Sequence, residues 1–118
     1  MILVDTSVWI AHLRSPDLEL ARALDDVQVL MHPFILGELA CGNLRFRSRL
    51  LDLFRGLPVA PVATDEEAMR YIEDKRLYGR GIGYIDVHLL ASVALAGTAR
   101  LWTRDSRLAA VASDLSPA

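Results

Sequence analysis

Four acidic residues in this chain stand where a carboxylate has little reason to be. Asp5 closes the apolar run Ile2-Leu3-Val4, and Glu38 lies in the stretch Phe34 to Ala40, otherwise apolar apart from Gly37. Asp86 sits between Ile85 and Val87 at the start of the most apolar helical segment, and Asp105 follows Leu101-Trp102-Thr103. Acidic side chains are rarely buried unless they are paired or hold a metal. If the four converge, each raises the others' pKa, and the fold needs a cation to compensate. Carboxylate oxygens are hard ligands, and one cysteine with no suitably spaced histidines argues against zinc. The implied ion is Mg²⁺, with Mn²⁺ as an alternative. Such an ion lowers the pKa of a water, orients a phosphodiester and neutralises the leaving oxygen, which is the chemistry of phosphodiester hydrolysis. Each aspartate also has a plainer role open to it. Asp5 and Asp105 are placed as helix N-caps, worth about 1 kcal/mol each, and Asp86 in a first turn is favoured by the helix dipole. Glu38, in mid-helix, has no capping role.

The elements that must position these residues read as alternating strands and helices. Ile2 to Val4 is a buried parallel strand, with Asp5 or Thr6 capping a helix whose apolar face is Val8, Trp9 and Leu13. Ser15-Pro16-Asp17 breaks it, and Leu18 to Leu24 continues helically. Val27 to Met31 is a second strand, and a helix starts at Pro33 and stops at Gly42-Asn43. Arg45 to Arg55 is strongly amphipathic, with Phe46, Leu50, Leu51, Leu53 and Phe54 set against Arg45, Arg47, Arg49 and Asp52. Leu57 to Val62 reads as a third strand, placed at an edge by Pro58 and Pro61. Thr64-Asp65-Glu66-Glu67 is a capping box opening a helix that ends near Tyr78-Gly79. A glycine-containing loop then leads to a helix over Tyr84 to Ala96, a fourth strand over Ala99 to Thr103, and a last helix begun by Asp105. Short βα connections imply one α/β domain over residues 1–118, a parallel sheet with helices on both faces. Ligands bind beyond the carboxyl ends of such strands, where Asp5 and Asp105 fall.

Composition narrows the class. With 118 residues, 53% of them apolar, the chain buries roughly two-thirds of its surface without staples. Cys41 is the only cysteine, which rules out an internal disulfide, suits a reducing cytosol and reads as a small buried filler. Met1 runs directly into Ile2-Leu3-Val4 with no basic stretch, so no signal peptide is expected. The longest apolar run, Val87 to Gly97, falls short of the roughly 20 residues of a membrane span, and a soluble cytoplasmic protein is expected. The net charge of −2 lacks the basic surplus common in nucleic-acid binders, although 12 of the 13 basic residues are arginine. Trp9 and Trp102 are expected as core or rim packing. His88 stands two residues from Asp86 on another helical face, His12 and His32 have no partner pattern, and Gly81 and Gly83 suit a turn.

Asp5-Thr6-Ser7-Val8-Trp9-Ile10 after an apolar strand resembles the opening motif of PIN-domain nucleases. Gly37-Glu38-Leu39, Tyr84-Ile85-Asp86-Val87-His88-Leu89-Leu90-Ala91 and Leu101-Trp102-Thr103-Arg104-Asp105 match the later family motifs in order and approximate spacing. The resemblance covers nearly the whole chain and is closest to VapC-type toxins of bacterial toxin–antitoxin pairs. It implies a three-layer α/β/α sandwich and a Mg²⁺- or Mn²⁺-dependent endoribonuclease, with Asp5, Glu38, Asp86 and Asp105 as the catalytic, metal-binding acids. It also implies Thr6 and Thr103 as supporting hydroxyls, a homodimer, and a cognate antitoxin that inserts a peptide into a groove. The Arg45 to Arg55 helix and the apolar stripe before it are suitable parts of that groove. With so little net charge, basic surface for RNA must be local, and Arg80, Arg104 and Arg107 are the candidates. A receiver-type signalling domain would need an acidic dyad after the first strand and a lysine late in the chain, but Thr6 follows Asp5 and Lys75 lies in mid-helix. A haloacid-dehalogenase-like phosphatase would need a second aspartate where Ser7 stands. A catalytically silent PIN-fold interaction module is the remaining alternative.

Overall fold

The computed structural model describes residues 1–116. β1 (Ile2–Val4) is the middle of a three-stranded parallel sheet, with β2 (Val29–Leu30) on one side and β3 (Arg100–Trp102) on the other. Leu3 stands opposite Leu30 and Leu101, and Val4 opposite Trp102. Successive strand residues point to opposite faces. Leu3 and Val4 are both fully buried, so both faces of β1 are covered, which is why the strand is apolar throughout rather than alternating. Pairing the first strand with the last sets the chain after β1 beside the chain after β3. The Asp5 amide donates to the Trp102 carbonyl at 2.9 Å.

Around the sheet lie α1 (Thr6–Arg14), α2 (Leu18–Asp25), α3 (Pro33–Cys41), α4 (Arg47–Arg55), α5 (Asp65–Lys75), α6 (Tyr84–Ala96) and α7 (Ser106–Leu115). One apolar cluster joins β1 and β2 to Trp9, Leu20, Ile35, Leu39 and Phe54. A second joins α5, α6 and α7 through Ala68, Val87, Leu90, Leu108 and Val111. Six consecutive residues of α6, from Val87 to Ser92, are buried. A helix buried all round is central, and α6 gives Leu89 to the first cluster and Leu90 to the second. Asp86, the second of the three candidate aspartates, is therefore carried on this central helix. No described helix is long and apolar enough to cross a membrane.

The fold is the expected α/β arrangement around a parallel sheet, with corrections at the edges. The strand read over Leu57 to Val62 is one parallel bridge between Met31 and Val59, held by the Met31 amide to Pro58 O and the Ala60 amide to Met31 O, both 2.8 Å. Pro58 and Pro61 have no N–H to extend the ladder. β2 is shorter than Val27 to Met31 because Val27 turns with φ 53° and leaves the strand. Left-handed residues also trim two helices: Phe46, at φ 52°, delays α4 to Arg47, and Arg76, at φ 54°, stops α5 before Tyr78-Gly79. Cys41 ends α3 on the surface and is exposed, not a buried filler.

Candidate active site

Asp5 follows β1 directly, and its extended backbone makes it the N-cap of α1. Its Oδ1 accepts the Thr6 amide at 2.8 Å. Its Oδ2 accepts the hydroxyls of Ser7 at 3.0 Å and Thr103 at 2.7 Å. Both hydroxyls are used a second time. Thr103 Oγ1 accepts the Asp105 amide at 3.1 Å, and Ser7 Oγ accepts the Arg104 amide at 3.1 Å. A hydroxyl donates once and accepts from elsewhere, so these two stitch the segment after β1 to the segment after β3. Asp105 in turn caps α7, its Oδ1 accepting the amides of Arg107 at 2.9 Å and Leu108 at 3.2 Å.

Glu38 projects from the exposed side of α3, where Thr6 Oγ1 donates to its Oε1 at 2.9 Å. Asp86, in the first turn of α6, accepts the Gly83 amide on Oδ2 at 3.0 Å. Burial pushes the Asp86 carboxyl above the ordinary carboxylate range, opposed by the Gly83 hydrogen bond and reinforced by the charges of Asp5 and Asp105. Three aspartates from β1, α6 and the end of β3 thus share one electrostatic neighbourhood, and Glu38 joins it through Thr6. Asp5 is buried, Asp86 half-buried, and Glu38 and Asp105 are exposed. The capping roles and the clustering coexist, because helix starts face the carboxyl end of a parallel sheet.

The ion pairs among the described residues all lie elsewhere, so none of these four carboxylates has a protein cation against it. Nor do three or more His, Cys, Asp or Glu side chains among the described residues close into a direct ligand shell. The donors at this end of the sheet are hard carboxylate oxygens, the type that Mg²⁺ or Mn²⁺ takes. An all-protein cage would need closer packing.

Of the three arginines expected to meet RNA, Arg80 is spent on Asp114 of α7, Nη2 to Oδ2 at 2.6 Å. Arg104 and Arg107 are exposed and carry no ion pair among the described residues. Ser7 is the supporting residue that sequence reasoning missed, visible there only as a place lacking a second aspartate. Trp9 is core, edge-on to Phe54 at 5.2 Å. His32 is buried and caps α3, its Nδ1 accepting the Phe34 amide at 3.0 Å. Burial, with His88 adding, lowers its pKa to about 4, so it is a neutral structural imidazole. A groove of about 850 Å³ runs beside the acids between α1, α3 and α4, lined by Ile10, Leu13, Leu39, Phe46, Leu50 and Leu53, with Glu38 on its wall.

The PIN domain profile matches residues 2–114. The chain belongs to the PIN-domain family. Ribonuclease VapC32 of Mycobacterium tuberculosis, in each of two strains, is 50% identical over 114 residues, covering 97% of this chain and 92% of the relative. This PIN domain is therefore of the VapC type.

The burial of Asp86 beside other acids in this PIN domain has a testable sign. Folding raises the pKa of Asp86, so ionising it costs native stability at pH values above the ordinary carboxylate range. In EDTA, Asp86→Asn is expected to melt above the parent at about pH 7, with the gap closing toward about pH 3, where the unfolded and native acids are both protonated. Scanning fluorimetry across that range checks it. Equal or lower melting of the variant at neutral pH would contradict the cost of ionising Asp86 in the fold.

Proposed function

We propose that this PIN domain is a Mg²⁺- or Mn²⁺-dependent endoribonuclease and the toxin of a toxin–antitoxin pair. The observation that carries the reading is the Thr103 bridge from Asp5 to the Asp105 backbone, with the charges of both aspartates felt at Asp86 and no protein cation paired with any of the three among the described residues. The identity to a protein named as a ribonuclease supports it.

A bound divalent ion would supply a water of lowered pKa and relief of charge on the leaving oxygen of the phosphodiester. Asp5, Asp86 and Asp105, with Glu38 at the groove wall, are the residues that would hold it. The three donors on Asp5 fix its carboxylate in one orientation, and Thr103 sets the spacing from Asp5 to the Asp105 backbone. Thr6 turns Glu38 toward the same end of the sheet. Burial and the neighbouring acids raise the proton affinity of Asp86 in the metal-free chain, and a cation held there would favour its charged form. Arg104 and Arg107, which carry no ion pair among the described residues, would supply local positive charge for the RNA backbone.

The cognate antitoxin is placed in the apolar groove, where an inserted peptide could reach Glu38 with a basic side chain. Phe46 is 76% exposed, more than a large apolar side chain gains from in water. The Phe46→Glu, Leu50→Glu double variant is expected to bind the antitoxin at least tenfold more weakly in a pull-down or titration; unchanged binding would remove the groove from the reading.

Cleavage of total cellular RNA by the purified, antitoxin-free protein tests the activity. Discrete fragments are expected with Mg²⁺ and none with EDTA or with Asp5→Asn, while Thr103→Ala is expected to lose about 10- to 100-fold as a support to the acids. No cleavage, with no rise in melting temperature on adding Mg²⁺, would make the chain a silent PIN-fold binding module instead.

A further inference from the structure

We propose that Arg107, laid across Gly81, is a preset contact for an RNA phosphate at the edge of the acidic cluster, an inference that rests on the ribonuclease reading above. Gly81 lies in the loop ahead of α6 with φ 80°, a left-handed conformation that favours glycine. A Cβ built there would lie 2.8 Å from Arg107 Cδ, 3.1 Å from Nη1 and 3.3 Å from Nε. Cδ, Nε and Nη1 of Arg107 therefore pack over Gly81 where a Cβ would stand, so a side chain there would displace the arginine.

The loop does not depend on Arg107 for its anchorage, because the neighbouring Arg80 ties it to Asp114 of α7. The Arg107 side chain itself makes no hydrogen bond or ion pair among the described residues, its backbone amide alone being engaged with Asp105. An arginine with a seated stem and free donors has already lost much of the rotamer freedom that binding would otherwise remove. Its place fits the chemistry. Arg107 stands two residues after Asp105, and Gly81 two residues before Gly83, whose amide holds Asp86. The guanidinium thus bridges the two segments bearing acids that repel an incoming phosphate. Its planar fork matches phosphate oxygens in pairs, which an ammonium does not. In a chain of net charge −2 there is no broad basic field to replace it.

The test measures binding of a fluorescein-labelled single-stranded RNA of mixed sequence by anisotropy in the Asp5→Asn background, from about 50 to about 200 mM salt. Arg107→Ala is expected to weaken binding about tenfold and to flatten the plot of log Kd against log salt by about 0.7. Arg107→Lys should keep the slope but lose part of the affinity. Gly81→Ala, which unseats the arginine, should weaken binding too, yet add nothing in the Arg107→Ala background. Melting temperature reports the fold of each variant, and Arg107, being exposed, should leave it within a few degrees. Unchanged affinity and slope in Arg107→Ala, with RNA still cleaved by the parent, would overturn this inference alone. Additive losses would remove the Gly81 seat. A parent chain that neither binds nor cleaves RNA would overturn the reading beneath it as well.

Discussion

Carboxylates at the ends of neighbouring parallel strands repel one another, and this end of the sheet is arranged around that repulsion. Asp5 sits at the end of β1, and Asp105 lies just past β3, its register partner. The hydroxyl of Thr103 spans the gap, giving its proton to Asp5 and taking the amide of Asp105. Ser7 makes a second crossing between the same segments through the Arg104 amide. Backbone amides and hydroxyls can hold negative charges in place without neutralising them. The Asp86 carboxyl is raised above the ordinary carboxylate range first by its burial, and the charges that these donors leave on Asp5 and Asp105 add to it.

The scaffold that makes this tolerable is stiff. β1 is buried on both faces, and α6 is buried along six consecutive residues, so Asp5 and Asp86 are presented by elements that cannot move apart cheaply. Asp5 and Asp105 begin helices as well, and the amides they cap supply part of the positive potential the cluster lacks. Structural and chemical roles are therefore the same contacts viewed from two sides. Glu38 differs, since it caps no helix, and its carboxylate accepts a hydrogen bond from Thr6 in α1.

The central elements were legible because each is set by local rules. The apolar triplet of β1, the capping box at Thr64 and the long apolar helix of α6 all lie where pattern and caps put them. The misreadings cluster where single residues take left-handed backbone or lack an N–H. Val27, Phe46 and Arg76 carry side chains that do not announce a positive φ, and Pro58 and Pro61 cut an edge strand down to one bridge. At the site, residue types and order singled out the four acids. The sequence could not show which acids would share a neighbourhood, that Ser7 would join Thr103 in holding Asp5, or that Arg80 would be consumed by Asp114, because those depend on tertiary contacts across the whole chain.

The central claim is that this crowded, unpaired acid cluster is a seat for a divalent cation, and direct ion binding tests it without any RNA. Mn²⁺ titrated into the purified protein can be followed by the loss of its free electron-paramagnetic-resonance signal. The account expects saturable binding that Mg²⁺ competes away and that Asp5→Asn abolishes while the fold persists. No binding, or binding that Asp5→Asn leaves intact, would contradict it.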